Sequence, residues 1–192
     1  MKNEITLHEN KSFKNVSYTE KTLRDREFYK CEFVGCVFSK SDLIGNSFED
    51  CIFENCDFSM AKIQGAGFRN AYFKECKILG VDFSECNKFM FSFSFNNCHL
   101  DYSTFFGTQL IKTKFDNCSL KETDFSEVNL SGSVFSDCDL TGAIFSNTIL
   151  EKVDFRSAMN YAIDPENNRI KKAKFSMIGS IGLLYKYDIK IE

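Results

Sequence analysis

Nine cysteines and two histidines are the residues of this 192-residue chain best suited to redox, nucleophilic or metal chemistry. Their spacing does not suit it. No Cys-x-x-Cys pair occurs, and His8 and His99 lie far apart, so no metal-ligand set is expected. Neither histidine stands in a motif beside a Ser or Cys nucleophile, and there is no Gly-rich phosphate loop. The cysteines fall instead into series of period twenty: Cys31 and Cys51; Cys36, Cys56 and Cys76; Cys98, Cys118 and Cys138. Cys86 is the ninth. An odd number of regularly spaced thiols, with no signal-peptide core in Met1–His8, reads as reduced thiols serving as small buried hydrophobes. A cytoplasmic location is the matching expectation. The carboxylates repeat too: Asp42, Asp57, Asp82, Asp124, Asp139 and Asp154 each directly precede a large apolar residue. Repetition of that kind describes a solvated wall rather than a catalytic pair, which needs a pocket and a perturbed pKa. Neither an enzyme nor a cofactor is expected.

The element that carries these residues has a period of five. From Phe95 onward the centres are Phe95, Leu100, Phe105, Leu110, Phe115, Leu120, Phe125, Leu130, Phe135, Leu140, Phe145, Leu150 and Phe155. Two residues before each of the last twelve lies a small or slim one, from Cys98 and Ser103 to Thr148 and Val153. An α-helix repeats near 3.6 residues and a strand at 2, so neither sustains this pattern. Two inward positions in five, followed by a corner, describe a coil that turns at regular intervals. The same period runs from Phe13 to Phe83, two residues out of phase with the later stretch, and its small slots include Cys31, Ser41, Asn46, Ala61 and Ala71. Asn46, a polar amide in an inward slot, needs a hydrogen-bond partner, and an adjacent coil's backbone is the candidate.

This pattern resembles the pentapeptide-repeat family, in Ala-Lys-Ile at 61–63, Cys-Asp-Phe at 56–58, Cys-Asp-Leu-Thr-Gly at 138–142 and Ala-Ile-Phe at 143–145. The resemblance implies an all-β fold, a right-handed quadrilateral β-helix. Twenty-eight centres at four to a turn give about seven coils, roughly 34 Å at the usual strand spacing. Residues 1–12 lie before the repeat and are expected to form an N-terminal cap, with the repeat over 13–175. Two irregularities interrupt it. At 86–94 two extra residues accompany the aromatic run Phe89–Phe93, which either fills the core as a bulge or presents an exposed hydrophobic contact. At 159–169 the chain's single proline marks an irregular turn. Over 176–192 the period shifts to three and four and then to alternation, which predicts a short C-terminal α-helix opened by Ser176, then a short strand.

The chain has 27 acidic and 24 basic residues, and no apolar run approaches the roughly 18 residues of a membrane span. Direct nucleic-acid binding is therefore not expected. Within 116–154, Asp116, Glu122, Asp124, Glu127, Asp137, Asp139, Glu151 and Asp154 face only Lys121 and Lys152. The resemblance extends to the bacterial quinolone-resistance members of the family, rods with a C-terminal dimer segment. It implies a non-catalytic DNA mimic that binds type II topoisomerase (DNA gyrase or topoisomerase IV) and protects it from quinolones or toxins. Those eight carboxylates would form the acidic face, and Ile181, Leu183, Leu184 and Tyr187 the homodimer contacts. The alternative is a general interaction scaffold for another protein partner, using a coil wall or Phe89–Phe93.

Overall fold

The computed structural model describes residues 6–190. Ten short strands follow one another: β1 Thr6–Glu9, β2 Ser12–Lys14, β3 Arg26–Tyr29, β4 Glu32–Val34, β5 Ser47–Glu49, β6 Ile52–Glu54, β7 Gly67–Lys74, β8 Phe91–Asn96, β9 Lys114–Asp116 and β10 Val134–Ser136. All pair in parallel with the strand one coil away, as in Phe28↔Phe48 and Phe33↔Phe53. Single bridges such as Asp42↔Lys62 and Ser119↔Asp139 tie the remaining walls together. The result is a right-handed, four-sided β-solenoid. We number its faces by their inward centres. Face 1 carries Phe33 and Phe115, face 2 Phe38 and Leu120, face 3 Leu43 and Phe125, and face 4 Phe48 and Leu130.

Corners recur because each five-residue unit ends in a turn whose last residue adopts positive φ, as at Asn55 (52°), Asn117 (50°) and Gly132 (71°). Such φ values favour Gly and Asn, which tolerate the left-handed region. The residue before each centre often caps the turn. Asp42, Asp57, Asp82, Asp124, Asp139 and Asp154 each accept, through Oδ1, the backbone N–H two residues on. These aspartates are local structural devices before they are anything else.

The interior is a set of ladders. On face 1 nine phenylalanines stack without a break, Phe13, Phe33, Phe53, Phe73, Phe95, Phe115, Phe135, Phe155 and Phe175, at centroid separations of 4.7 to 5.5 Å. Rings on neighbouring faces meet edge to face, as Phe115 and Phe125 do at 82°. Phe95, Phe105, Phe115, Phe125, Phe135, Phe145 and Phe155 are all buried, and each buried ring contributes on the order of 2–3 kcal/mol. Asn46 sits in a face-4 slot, where its Oδ1 accepts the Arg26 N–H of the preceding coil at 2.9 Å.

Three expectations are corrected. The first coil begins at Thr6, not Phe13: His8 fills a centre on face 4, stacked on Phe28 at 4.8 Å. A histidine in a phenylalanine's place hid that coil, and only residues 1–5 of the expected cap fall outside the described chain. The C-terminal segment is not an α-helix but two 3-10 turns, Gly179–Leu183 and Tyr185–Tyr187. Gly179 and Gly182 disfavour an α-helix, and a Cβ at either would collide with Tyr161. Ser176 does act at its start, its Oγ accepting the Gly179 N–H at 2.9 Å. Asp188–Lys190 form no strand, and the last two residues of that expected strand lie outside the described chain.

The aromatic insertion divides between both readings. The register between coils changes from 20 residues (Phe48↔Phe68) to 23 (Phe68↔Phe91) and then 22 (Ala71↔Phe93), while the Asn87 N–H still reaches Ala66 O, so the extra residues enter at the 87–90 turn on face 4. Phe93 is buried in a face-1 slot opposite Ala71, with Phe91 edge-on to it at 4.7 Å. Phe89 points outward, 94% exposed.

Candidate functional site

The face-1 ladder passes the insertion undisturbed, and this joins the two long cysteine series. Cys36, Cys56, Cys76, Cys98, Cys118 and Cys138 form one column in the face-2 slots, because the 22-residue step aligns Cys76 with Cys98. All of these thiols but Cys118 donate to a backbone carbonyl of the preceding coil, as in Cys56 to Phe33 (3.3 Å) and Cys98 to Phe73 (3.4 Å). Burial pushes the Cys36 and Cys86 thiols up, and Cys51 to about 12, whereas hydrogen bonds from neighbouring thiols hold Cys56 and Cys98 down. All nine thiols are buried and shut away from a substrate. Among the described residues no three His, Cys, Asp or Glu side chains cluster as metal ligands. A cavity at the N-terminal end, lined by His8, Phe13 and Asn46 among others, measures only ≈ 40 Å³. The interior is filled, so recognition chemistry belongs to the outer walls.

The structure spreads the eight carboxylates over all four faces. Asp116, Asp137 and Asp154 belong to face 1, Glu122 and Asp139 to face 2, Asp124 and Glu127 to face 3, and Glu151 to face 4. Three are already paired. Glu151 meets Arg169 at 2.8 Å, Asp154 meets Arg156 at 2.8 Å and Lys174 at 3.7 Å, and Asp139 meets Lys121 at 3.2 Å. Burial pushes Asp139 up, but hydrogen bonds from Thr141, Asn160 and Lys121 outweigh it and hold the carboxyl at about 2. Asp116 accepts from the Asn96 side chain at 2.7 Å.

Glu122, Asp124 and Glu127 are different. They lie along face 3 and its leading corner, and Asp82 and Glu85 continue the wall two coils before. From Asp82 to Asn147 the outward positions of face 3 hold no Lys or Arg, and none of these five acids is in an ion pair. Gly142, at φ 69°, leaves space over the corner for the Glu122 carboxylate. Asp82 and Glu85 escape a sequence-window count, because what makes them neighbours of Asp124 and Glu127 is the coil stacking across the insertion.

A family model described as a pentapeptide repeat region matches residues 46–122 and 109–178, and a model of eight pentapeptide repeats matches 28–59. The chain belongs to the pentapeptide-repeat family. Among solved pentapeptide-repeat structures, HetL from the cyanobacterium Nostoc sp. strain PCC 7120, described as involved in heterocyst differentiation regulation, aligns at TM-score 0.75. The two are 16% identical over 90% of this chain and 87% of HetL. QnrB1, described as a plasmid-mediated fluoroquinolone resistance protein, aligns in two trypsin-treated forms at TM-scores of 0.54 and 0.55. Each is 20% identical over 98% of this chain and 99% or 98% of QnrB1. At these identities the likeness is one of fold. No curated protein matches the chain in sequence.

The C-terminal segment of this pentapeptide-repeat protein leans on the last coil through Gly182 O, which accepts the Ile163 N–H at 3.0 Å, and through Lys186, paired with Asp164 (2.8 Å) and Glu166 (2.6 Å). Leu183, expected at a subunit contact, is partly buried and packs against the chain's own core beside the last coil. Ile181, Leu184 and Tyr187 stay exposed, together with Met177, Ile178 and Tyr185. Among the described residues no helix is long and apolar enough to cross a membrane.

Proposed function

We propose that this protein is a non-catalytic, rigid protein-binding rod, with type II topoisomerase (DNA gyrase or topoisomerase IV) as the partner and face 3 of its C-terminal half as the recognition wall. The observation that carries the reading is the base-free wall of Asp82, Glu85, Glu122, Asp124 and Glu127, spaced by coil steps of about 4.8 Å. A rigid row of negative charge suits a groove built for a nucleic-acid backbone, and its field steers association without new contacts. The fold shared with QnrB1 over nearly both full lengths supports the same reading. Self-association through the exposed apolar residues of the C-terminal segment belongs to it: Leu184→Glu converts dimer to monomer in light scattering, and an unchanged mass removes the segment from the interface.

Titrating the protein into a gyrase supercoiling reaction, with and without a fluoroquinolone, tests the partner. Inhibition, or protection from drug-induced cleavage, is the expected result. No effect at micromolar protein leaves the second reading, a scaffold for another protein. That reading draws on the likeness to HetL, since one fold serves regulators of different processes.

A further inference from the structure

Diagonally across the rod from the corner that Glu122 and Asp124 occupy runs an edge of opposite character. At the corner from face 4 to face 1, Lys112, Gly132, Lys152 and Lys172 stack in one column. Successive rungs are joined by the Lys112 N–H to Ser131 O (3.0 Å), Gly132 N–H to Glu151 O (2.8 Å) and Lys152 N–H to Lys171 O (3.0 Å) bonds. The neighbouring column is Lys114, Val134, Asp154 and Lys174. Glu151 and Asp154, the acids interleaved here, are taken up by Arg169, Arg156 and Lys174. Lys112, Lys114, Lys152, Lys171 and Lys172 are exposed, and none forms an ion pair with a described residue. On a chain with net charge −3, this concentrates free positive charge on one straight edge.

The backbone at this column makes the lysines costly. Lys112, Lys152 and Lys172 have φ of 58°, 61° and 60°, a region where Gly is comfortable and Lys is not. Gly132, in the same column at φ 71°, shows the residue that the backbone alone would choose. Five lysines occupy left-handed corners among the described residues, and four of them, with Lys30, stand on this edge. The Lys112 stem also lies across Gly132, its Cγ 3.5 Å from where a Cβ would be.

We infer that this edge is a sequence-independent binding site for the phosphate backbone of a nucleic-acid duplex. Three features favour phosphate over an acidic protein surface. The free groups are ammonium point charges, which bind phosphate without a fixed geometry as a sequence-independent contact requires, Arg156 and Arg169 being occupied within the rod. No exposed aromatic ring, the usual anchor of a protein contact, lies in either column. Finally, the charges form a line rather than a patch. From Lys112 to Lys172 it covers three coil steps, about 14 Å, which matches a few successive phosphates of one strand. The inference does not rest on the topoisomerase reading, which uses the opposite corner, and it reverses the expectation drawn from composition.

Fluorescence anisotropy of a labelled 20-base-pair duplex of mixed sequence, titrated with the full chain at several salt concentrations, tests it. With about four phosphates contacted, affinity falls roughly 100-fold between 50 and 200 mM salt. Lys112→Gly, Lys152→Gly and Lys172→Gly together copy the Gly132 rung, so the variant keeps or raises its thermal midpoint while losing at least about tenfold in affinity and most of the salt dependence. Absence of duplex binding by the wild-type chain at low salt overturns the inference. So does a folded triple variant that binds as the wild type does. Polyglutamate displacing the duplex at equal charge would reassign the edge to an acidic protein, and tighter binding to phosphatidylserine vesicles would reassign it to a membrane surface.

Discussion

Through Phe73, faces 1, 2 and 4 point aromatic rings inward and face 3 points Leu23, Leu43 and Ile63; from Phe95 onward phenylalanine fills faces 1 and 3 and leucine faces 2 and 4. From Phe28 to Phe155 both halves bury their centres, so the cross-section must be conserved by other means. The slots supply it. From Cys31 to Ala71, beside the aromatic-rich half, they are Cys, Ala and Ser apart from Asn46, whereas in the leucine-rich half they also include the larger Thr108, Thr113, Thr123, Val128, Thr148 and Val153. Larger centres go with smaller slots, as close packing requires. The two-residue insertion stands at the changeover, with Phe93 in a slot that Ala71 holds one coil earlier.

The outer surfaces differ in a parallel way. In the N-terminal half opposite charges alternate up the coils and pair with one another, as in Glu49 with Arg69 (3.1 Å) and Glu54 with Lys74 (2.7 Å). In the C-terminal half face 3 carries acids with no base among its outward positions and the opposite edge carries lysines in no ion pair with a described residue, while Asp116 and Asp137 on face 1 also lack an ion-pair partner among the described residues. Exposed pairs contribute little to stability, so the first half presents a neutralised surface and the second a field that a partner can read.

The largest expected effect probes the shared core. Phe115→Ala, in the middle of the nine-ring ladder, costs about 3–5 kcal/mol in urea unfolding; a loss under about 1 kcal/mol would contradict its place there. The compensation between centres and slots comes next. Leu130→Phe overfills face 4 and costs about 1–3 kcal/mol. Adding Val128→Ala recreates the Ala66–Phe68 combination of the other half and recovers part of that loss; an additive double variant would refute volume exchange. A third comparison uses two asparagines in face-4 slots. Asn168 is satisfied, accepting the Thr148 N–H and donating to Phe145 O and Asp164 O, whereas the Asn46 amide nitrogen has no partner among the described residues. Asn168→Ala therefore costs about 1–3 kcal/mol and Asn46→Ala clearly less; equal losses would sink the distinction. The smallest effect is at Asp139. Its carboxyl is held at about 2, below the ordinary value near 4, so it stabilises the fold above pH 4 and that contribution fades as pH falls toward 2. Asp139→Asn flattens this part of the acid profile relative to wild type.

The fold was legible because a period of five leaves few alternatives and Phe and Leu mark it at nearly every centre. His8 escaped because an imidazole replaces the ring that marks a coil. The C-terminal segment was misjudged because apolar spacing of three and four fits a 3-10 turn as well as an α-helix, and the close approach of Gly179 and Gly182 to Tyr161 is tertiary. Charge was the least legible property. A window over 116–154 gathers eight acids that the coil disperses to four faces, while the wall that is acidic draws Asp82 and Glu85 from another window. The basic edge was invisible for the same reason: Lys112 and Lys172 are sixty residues apart in sequence and three coils apart in space.

Comparing two charge-reversed variants in the gyrase supercoiling reaction tests most directly whether face 3 is the recognition wall. One carries Glu85→Lys, Glu122→Lys and Glu127→Lys; the other carries Glu9→Lys, Glu27→Lys and Glu32→Lys in the N-terminal half, an equal change in net charge. Wild type and the N-terminal variant should act on gyrase alike, and the face-3 variant should lose the effect. Equal loss in both, or equal retention in both, would contradict a site on face 3.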